Sequence, residues 1–163
     1  MDKDLSTSLY LDDIPFRFWP KVDKSGECWI WTAEVARNGY GRFRLEGRRQ
    51  YAHRISYELT HGPIPDEMMI DHICHNLACV NPDHLRPVTN KQNHENLKGA
   101  TSRSGTGVLG VSWYSITGKW RAAVGHDGRT IHVGYFSTIE EAESAVIAKR
   151  NELFTHNNLD RTG

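Results

Sequence analysis

Apolar and polar positions nearly alternate along three short runs, residues 108–114, 119–126 and 129–136, which is the signature of half-buried strands. Thr117-Gly118 sits in the first gap and Asp127-Gly128 in the second, and Asp-Gly between strand-like runs predicts a hairpin. From residue 138 to 154 the period lengthens. Ala142, Ala145, Val146, Lys149 and Leu153 then share one side of a helix that Thr138 caps, with Glu141 three positions on to complete a capping box. The pattern predicts a three-stranded antiparallel sheet covered by one helix. Alternation turns Val111, Trp113, Trp120, Ala122, Val124, Ile131 and Val133 toward the helix. It leaves Ser112, Tyr114, Arg121, Ala123, Thr130 and His132 facing outward.

The first half is less regular. Residues 29–34 and 39–47 read as a hairpin turned at Asn38-Gly39. A short helix over 52–60 is ended by His61-Gly62-Pro63, and 68–73 is apolar enough for a strand. Thr89 followed by Gln92 opens a helix through about Leu97. Small and polar residues at 99–106 hold no periodic apolar face and read as a linker. The expected fold class is α+β in two domains, 1–98 and 107–155, joined by the linker 99–106 and followed by a tail at 156–163.

Composition narrows the setting. In 163 residues, 38% apolar, no stretch approaches the roughly 20 apolar residues of a membrane-spanning helix. The first residues carry acids where a signal peptide needs bases, so a reducing, cytoplasmic location is the expectation. Three cysteines suit a metal site better than a disulfide framework. Twenty basic residues balance twenty acidic ones, but unevenly. Six arginines stand against Glu46 alone in residues 37–54, residues 86–132 are also strongly basic, and the acids collect at 2–27 and 140–152. Such a molecule can hold a polyanion while neutral overall, although a solvated surface has the same composition.

The densest chemistry lies between the predicted strand at 68–73 and the helix that follows. It runs Asp71-His72-Ile73-Cys74-His75-Asn76-Leu77-Ala78-Cys79-Val80-Asn81-Pro82-Asp83-His84-Leu85, then Thr89 to Asn93. Asp-His at a strand end, a loop, then Asn on a helix resembles the HNH (His-Me finger, ββα-metal) endonucleases over roughly residues 28–97. The Cys-x4-Cys-x4-His spacing, with Asn93 nine residues beyond His84, is similar to the His-Cys box homing endonucleases. The resemblance implies a ββα-metal nuclease domain that cuts double-stranded DNA, leaving 5′-phosphate and 3′-hydroxyl ends. It also implies an origin in a phage or mobile element, and hence a bacterial host cell. The residue chemistry agrees. Phosphodiester hydrolysis needs an activated water, a cation against the non-bridging oxygens and stabilisation of the leaving oxygen. His72 is a natural general base near neutral pH, and Asp71 and Asn93 offer hard oxygen ligands for Mg2+. Adjacent strand residues point to opposite faces, so Asp71 and His72 converge only if the strand ends or bulges there. Arg54 is a candidate clamp on the scissile phosphate.

Cys74, Cys79 and His84 supply three ligands within eleven residues, and only Cys28 remains for the fourth corner of a structural Zn2+ site. The His-Cys box resemblance implies the same upstream cysteine. Two alternatives stand beside this: the cysteines are small buried hydrophobes, or His84 orients His72, as an Asn at the matching position does in phage intron-encoded HNH nickases. Asn81 is expected to cap the turn into Pro82, and His75 and His94 to face solvent or phosphate.

Residues 107–154 resemble the DNA-binding domain of plant ethylene-response factors through Gly110-Val111, Gly118-Lys119-Trp120, Gly134-Tyr135-Phe136 and an Ala-rich helix. That resemblance implies a sheet face laid in the DNA major groove, with Ser112, Tyr114, Arg121, Thr130 and His132 outward and Lys119 and Arg129 at the turns. The plant pattern places several Arg and a Trp on that face, whereas this chain has Arg121 as its central cation. Together the readings give a Mg2+-dependent, homing-type HNH endonuclease with a zinc staple. A monomer would nick, and a two-fold homodimer could cut both strands. The rival is a zinc-stapled DNA-binding or regulatory protein without catalysis.

Overall fold

A computed structural model of the chain describes residues 13–96, 99–100 and 104–161. The predicted end of a helix at Leu97 and positions 101–103 of the predicted linker lie outside the described residues. Two compact units divide the chain, residues 1–89 and 90–163.

In the first unit a short helix α1 (Ile14–Phe18) runs through a 3-10 turn into β1 (Val22–Asp23), which pairs antiparallel with β2 (Ile30–Trp31). Next comes a ribbon of β3 (Arg42–Leu45) and β4 (Arg48–Tyr51), then α2 (Ala52–His61). Strand β5 (Met69–His72) pairs with β6 (Leu85–Val88) across a long loop that ends in a 3-10 turn, Pro82–His84. Phe18, Trp31, Phe43, Ala52, Ile55 and Val80 form the core that these pieces share. Their rings meet mostly edge to face, Phe18 against Phe43 at 5.4 Å and Trp31 against Phe43 at 6.0 Å.

The predicted hairpin of 29–34 with 39–47 is not the one formed. Residues 30–31 pair with β1, and β3 pairs instead with β4 through a turn at Glu46-Gly47, both at positive φ (49° and 74°). Asn38-Gly39 does turn the chain, but it closes only an isolated bridge from Val35 to Gly41. A strong local turn signal fixed a bend without fixing the strand partners: in the pairing formed, Phe43 is buried in the core with Phe18 and Trp31.

The second unit opens with α3 (Asn90–Glu95) and continues with the sheet β7 (Val111–Tyr114), β8 (Lys119–His126) and β9 (Arg129–Phe136), antiparallel in that order. Helix α4 (Ile139–Leu153) packs on it, with the Thr138–Glu141 capping box formed at both ends. Val111, Ala122, Val124, Ala142 and Val146 are its core. A short α5 (Asn158–Arg161) is fastened by Arg150, whose guanidinium binds both carboxylate oxygens of Asp160 and the Leu109 carbonyl. Gly110 is required where it stands. Its φ is 84°, and a Cβ there would lie 2.5 Å from the Ala123 carbonyl oxygen.

Two details depart from simple alternation. Trp113 remains 53% exposed, its ring edge-on to Trp120 at 5.0 Å rather than sealed under α4. Ala122 pairs with Gly134 and Ala123 with His132, so Val133 is an extra residue in β9. Beyond that bulge the parity inverts, and Tyr135 pairs with Arg121 on the open face.

Candidate metal centre and histidine site

Four side chains converge in the first unit. Cys28 lies in the loop after β1, Cys74 and Cys79 in the loop after β5, and His84 closes the 3-10 turn before β6. Their ligand atoms all lie within 4.8 Å of one another. His84 Nδ1 is 3.6 Å from the sulfurs of both Cys28 and Cys79. A tetrahedron with Zn–S near 2.3 Å and Zn–N near 2.1 Å has S···N edges of about 3.6 Å, so the donor set fits Zn2+ in kind and in spacing. The protonation of the three sulfurs is coupled through their contacts. The hydrogen bond from Cys79 pushes Cys74 down to about 4, while the same contact drives Cys79 upward and burial raises Cys28. Without a metal one thiolate shared among the three sulfurs is the favoured state, and a dication bound there would release the remaining thiol protons.

The loop is built to present these groups. Asn81 caps the 3-10 turn: its Oδ1 accepts from the Asp83 N–H at 3.1 Å, and its Nδ2 donates to the Glu27 carbonyl at 2.8 Å. That second bond ties the Cys28 loop to the Cys79–His84 stretch. Ile30 bridges to Cys79, and the Val80 N–H donates to the Trp29 carbonyl at 2.7 Å. His75 takes a positive φ of 54° in the same loop, with its Nε2 buried and unpartnered.

His72 is the last residue of β5 and only 3% exposed. Its Nε2 lies 3.1 Å from the Cys79 carbonyl oxygen. A carbonyl only accepts, so Nε2 carries the proton and the neutral ring has its lone pair on Nδ1. Burial holds its pKa below the usual imidazole range, against the opposing pull of Cys74 and the Cys79 carbonyl. The acceptor that sets this tautomer thus belongs to a residue of the metal cluster.

Sequence reasoning missed the neighbours of this ring. His53, on the first turn of α2, packs its ring 4.7 Å from that of His72, and Tyr40 stands 5.8 Å away. His53 is 5% exposed, and burial, with His72 and Arg54 adding to it, lowers its pKa to about 3. Its Nδ1 is sealed without a partner. The only hint was its place beside Arg54, which is half-buried on the same helix. Arg86 was also missed. It lies opposite Asp71 in the β5–β6 register and donates twice to Asp71 Oδ2, at 3.1 and 3.0 Å. Asp71 and His72 follow each other in an unbroken ladder that stops at His72.

In the second unit Asn93 is half-buried on α3. On the open face of the sheet Ser112, Lys119, Thr130 and His132 are exposed, Tyr114 and Arg121 are half-buried, and Arg129 is exposed at the turn. Tyr135 joins them because of the bulge, its ring 5.2 Å from Tyr114 and 4.7 Å from His132.

Residues 50–95 match the family model of the HNH endonucleases. Protein 7.7 of Escherichia phage T7 is 41% identical over 71 residues, 44% of this chain and 55% of its own length. Protein 2.8 of the same phage is 35% identical over 75 residues, 45% of this chain and 50% of its own. An uncharacterized gene 5.3 protein of Enterobacteria phage T3 is 38% identical over 63 residues, 35% of this chain and 61% of its own. The chain thus spans about half the length of the curated relatives it matches. No solved structure matches it.

Proposed function

From the HNH endonuclease match at residues 50–95 and the phage relatives, we propose that this protein is a metal-dependent DNA endonuclease of the HNH type, phage-encoded, acting in the cytoplasm of a bacterial host. The observation that carries the reading is the tautomer of His72, with Nε2–H tied to the Cys79 carbonyl and a basic Nδ1. His72 Nδ1 takes a proton from water as the water oxygen attacks phosphorus. The bond to the 3′ oxygen breaks, that oxygen takes a proton from solvent, and 5′-phosphate and 3′-hydroxyl ends result. Arg54 binds non-bridging oxygens of the scissile phosphate. Asp71 and Asn93 are the residues that would offer hard oxygens to Mg2+, which would supply charge neutralisation at the phosphate and the departing oxygen. Asp71 meets that role with Arg86 already on Oδ2, so the guanidinium competes with or helps to aim the carboxylate. Cys28, Cys74, Cys79 and His84 hold a structural Zn2+ that keeps the Cys79 carbonyl in place.

The open sheet face of the second unit, with Ser112, Tyr114, Lys119, Arg121, Thr130 and His132 and with Arg129 at its edge, grips the DNA in the manner of an ethylene-response-factor domain. Domains at 1–98 and 107–155, with 99–106 as linker, suit that division of labour. A homing-type role follows if the grip is sequence-selective, and a homodimer would turn a nick into a double-strand break.

The Arg86–Asp71 ion pair favours a second reading, a zinc-stapled DNA-binding protein without catalysis, because a carboxylate held by a guanidinium needs no metal. Supercoiled plasmid incubated with the protein separates the two. Relaxed or linear product with Mg2+, abolished by EDTA, supports the nuclease. DNA retention with no cleavage under either condition leaves only the second reading.

A further inference from the structure

Helix α3 carries Asn93 midway between two residues fastened to the rest of the second unit. Glu95 is buried at 7% exposure, and its Oε2 accepts two hydrogen bonds from Thr155, from the backbone N–H at 2.9 Å and from the hydroxyl at 3.1 Å. Lys91 Nζ pairs at 2.7 Å with Asp127, in the turn between β8 and β9. Lys91 and Glu95 are four positions apart and share one helix face. Asn93 is two positions from each, about 200° round the helix, and so presents its carboxamide to the opposite side. The helix reads Asn-Lys-Gln-Asn-His-Glu, six residues with no apolar side chain to seat it. A helix this short is marginal alone, so its orientation depends on what grips it. The HNH endonuclease match ends on Glu95, yet the residue that holds Glu95 lies 60 positions downstream.

We propose that Glu95 and Thr155 are positioning residues for Asn93: the C-terminal module, apart from its grip on DNA, aims the carboxamide that serves the nuclease chemistry. The inference rests on the nuclease reading above. It makes the module part of the cutting apparatus, so a block of DNA-binding sheet would not be exchangeable for another without loss of rate.

The test uses the full-length chain with Glu95→Ala, Glu95→Gln and Thr155→Val. Initial cleavage of supercoiled plasmid is followed against Mg2+ concentration, DNA affinity is measured in EDTA, and folding is checked by circular dichroism. Groups that orient a metal ligand typically change affinity or activity about 10- to 100-fold. Glu95→Ala is therefore expected to raise the half-saturating Mg2+ by about that factor with DNA affinity unchanged. Glu95→Gln keeps an oxygen acceptor for Thr155 and restores most of the wild-type dependence. Thr155→Val keeps the backbone bond and falls between them, and it decides the matter if Glu95→Ala does not fold. Folded variants with the wild-type Mg2+ dependence overturn the inference while the nuclease reading stands. A wild-type protein that cuts nothing under any Mg2+ concentration overturns both.

Discussion

Replacing Cys28 by Ser removes the one proposed zinc ligand that lies far from the others in sequence, and its effect can be worked out from chain geometry. Cys28 and His84 are 56 residues apart and meet at 3.6 Å. Treating the metal as a crosslink, the chain-entropy relation gives closure of such a loop a value of about 4 kcal/mol. A domain of this size has a total stability of about 5–15 kcal/mol. At roughly 4–8 °C per kcal/mol, Cys28→Ser should lower the melting temperature of the first unit by about 15–30 °C. The assay is a thermal melt of the full chain with elemental analysis alongside. Wild type should hold one zinc per chain and lose a comparable span of melting temperature on chelation, while Cys28→Ser should melt low with or without chelator. Wild type that carries less than about half a zinc per chain, or melts unchanged after chelation, would refute the staple.

Three further outcomes follow from single residues. His53 is neutral when folded, with its pKa lowered from 6.5 to about 3, so the unfolded chain binds the extra proton between those values. Stability is therefore complete above pH 6.5 and falls by about 1.4 kcal/mol per pH unit below it. Unfolding free energies from urea titrations at pH 7.5 and 5 should differ by about 2 kcal/mol through His53 alone, with buried His72 adding to the same trend, and His53→Phe should remove the His53 share. Gly110→Ala forces a Cβ against the Ala123 carbonyl at positive φ and should cost at least about 2 kcal/mol, read as a lowered melting temperature of the second unit. Arg121→Ala should reduce the slope of log affinity against log salt by about 1, as the loss of one phosphate contact requires. An unchanged slope would take Arg121 off the DNA.

The Cys28–Cys74–Cys79–His84 cluster was legible because three of its members are sequence neighbours whose spacing survives folding, and Cys28 was the remaining thiol. The sheet and α4 were legible for a similar reason: their turns and cap are local, and Thr138 with Glu141 forms the box that the residues spell. What was hidden depends on register or on backbone. The acceptor that fixes the His72 tautomer is a main-chain carbonyl, which no residue type announces. Arg86 reaches Asp71 only because β6 pairs with β5 in one register. Tyr135 reaches the open face through one extra residue in β9, which period-two reading cannot see. The predicted hairpin is not formed because Asn38-Gly39 marks only a bend closed by the Val35–Gly41 bridge, while the strand that carries buried Phe43 pairs with β4.

Single-turnover cleavage by His72→Ala, beside wild type and at equal DNA occupancy, probes the proposed base most directly. General-base assistance is worth about 10²–10⁴-fold. The variant should bind DNA and zinc as wild type does and cut at least about a hundredfold more slowly in Mg2+. Cleavage at the wild-type rate would remove the imidazole from the chemistry and, with it, the assignment of this site as a nuclease centre.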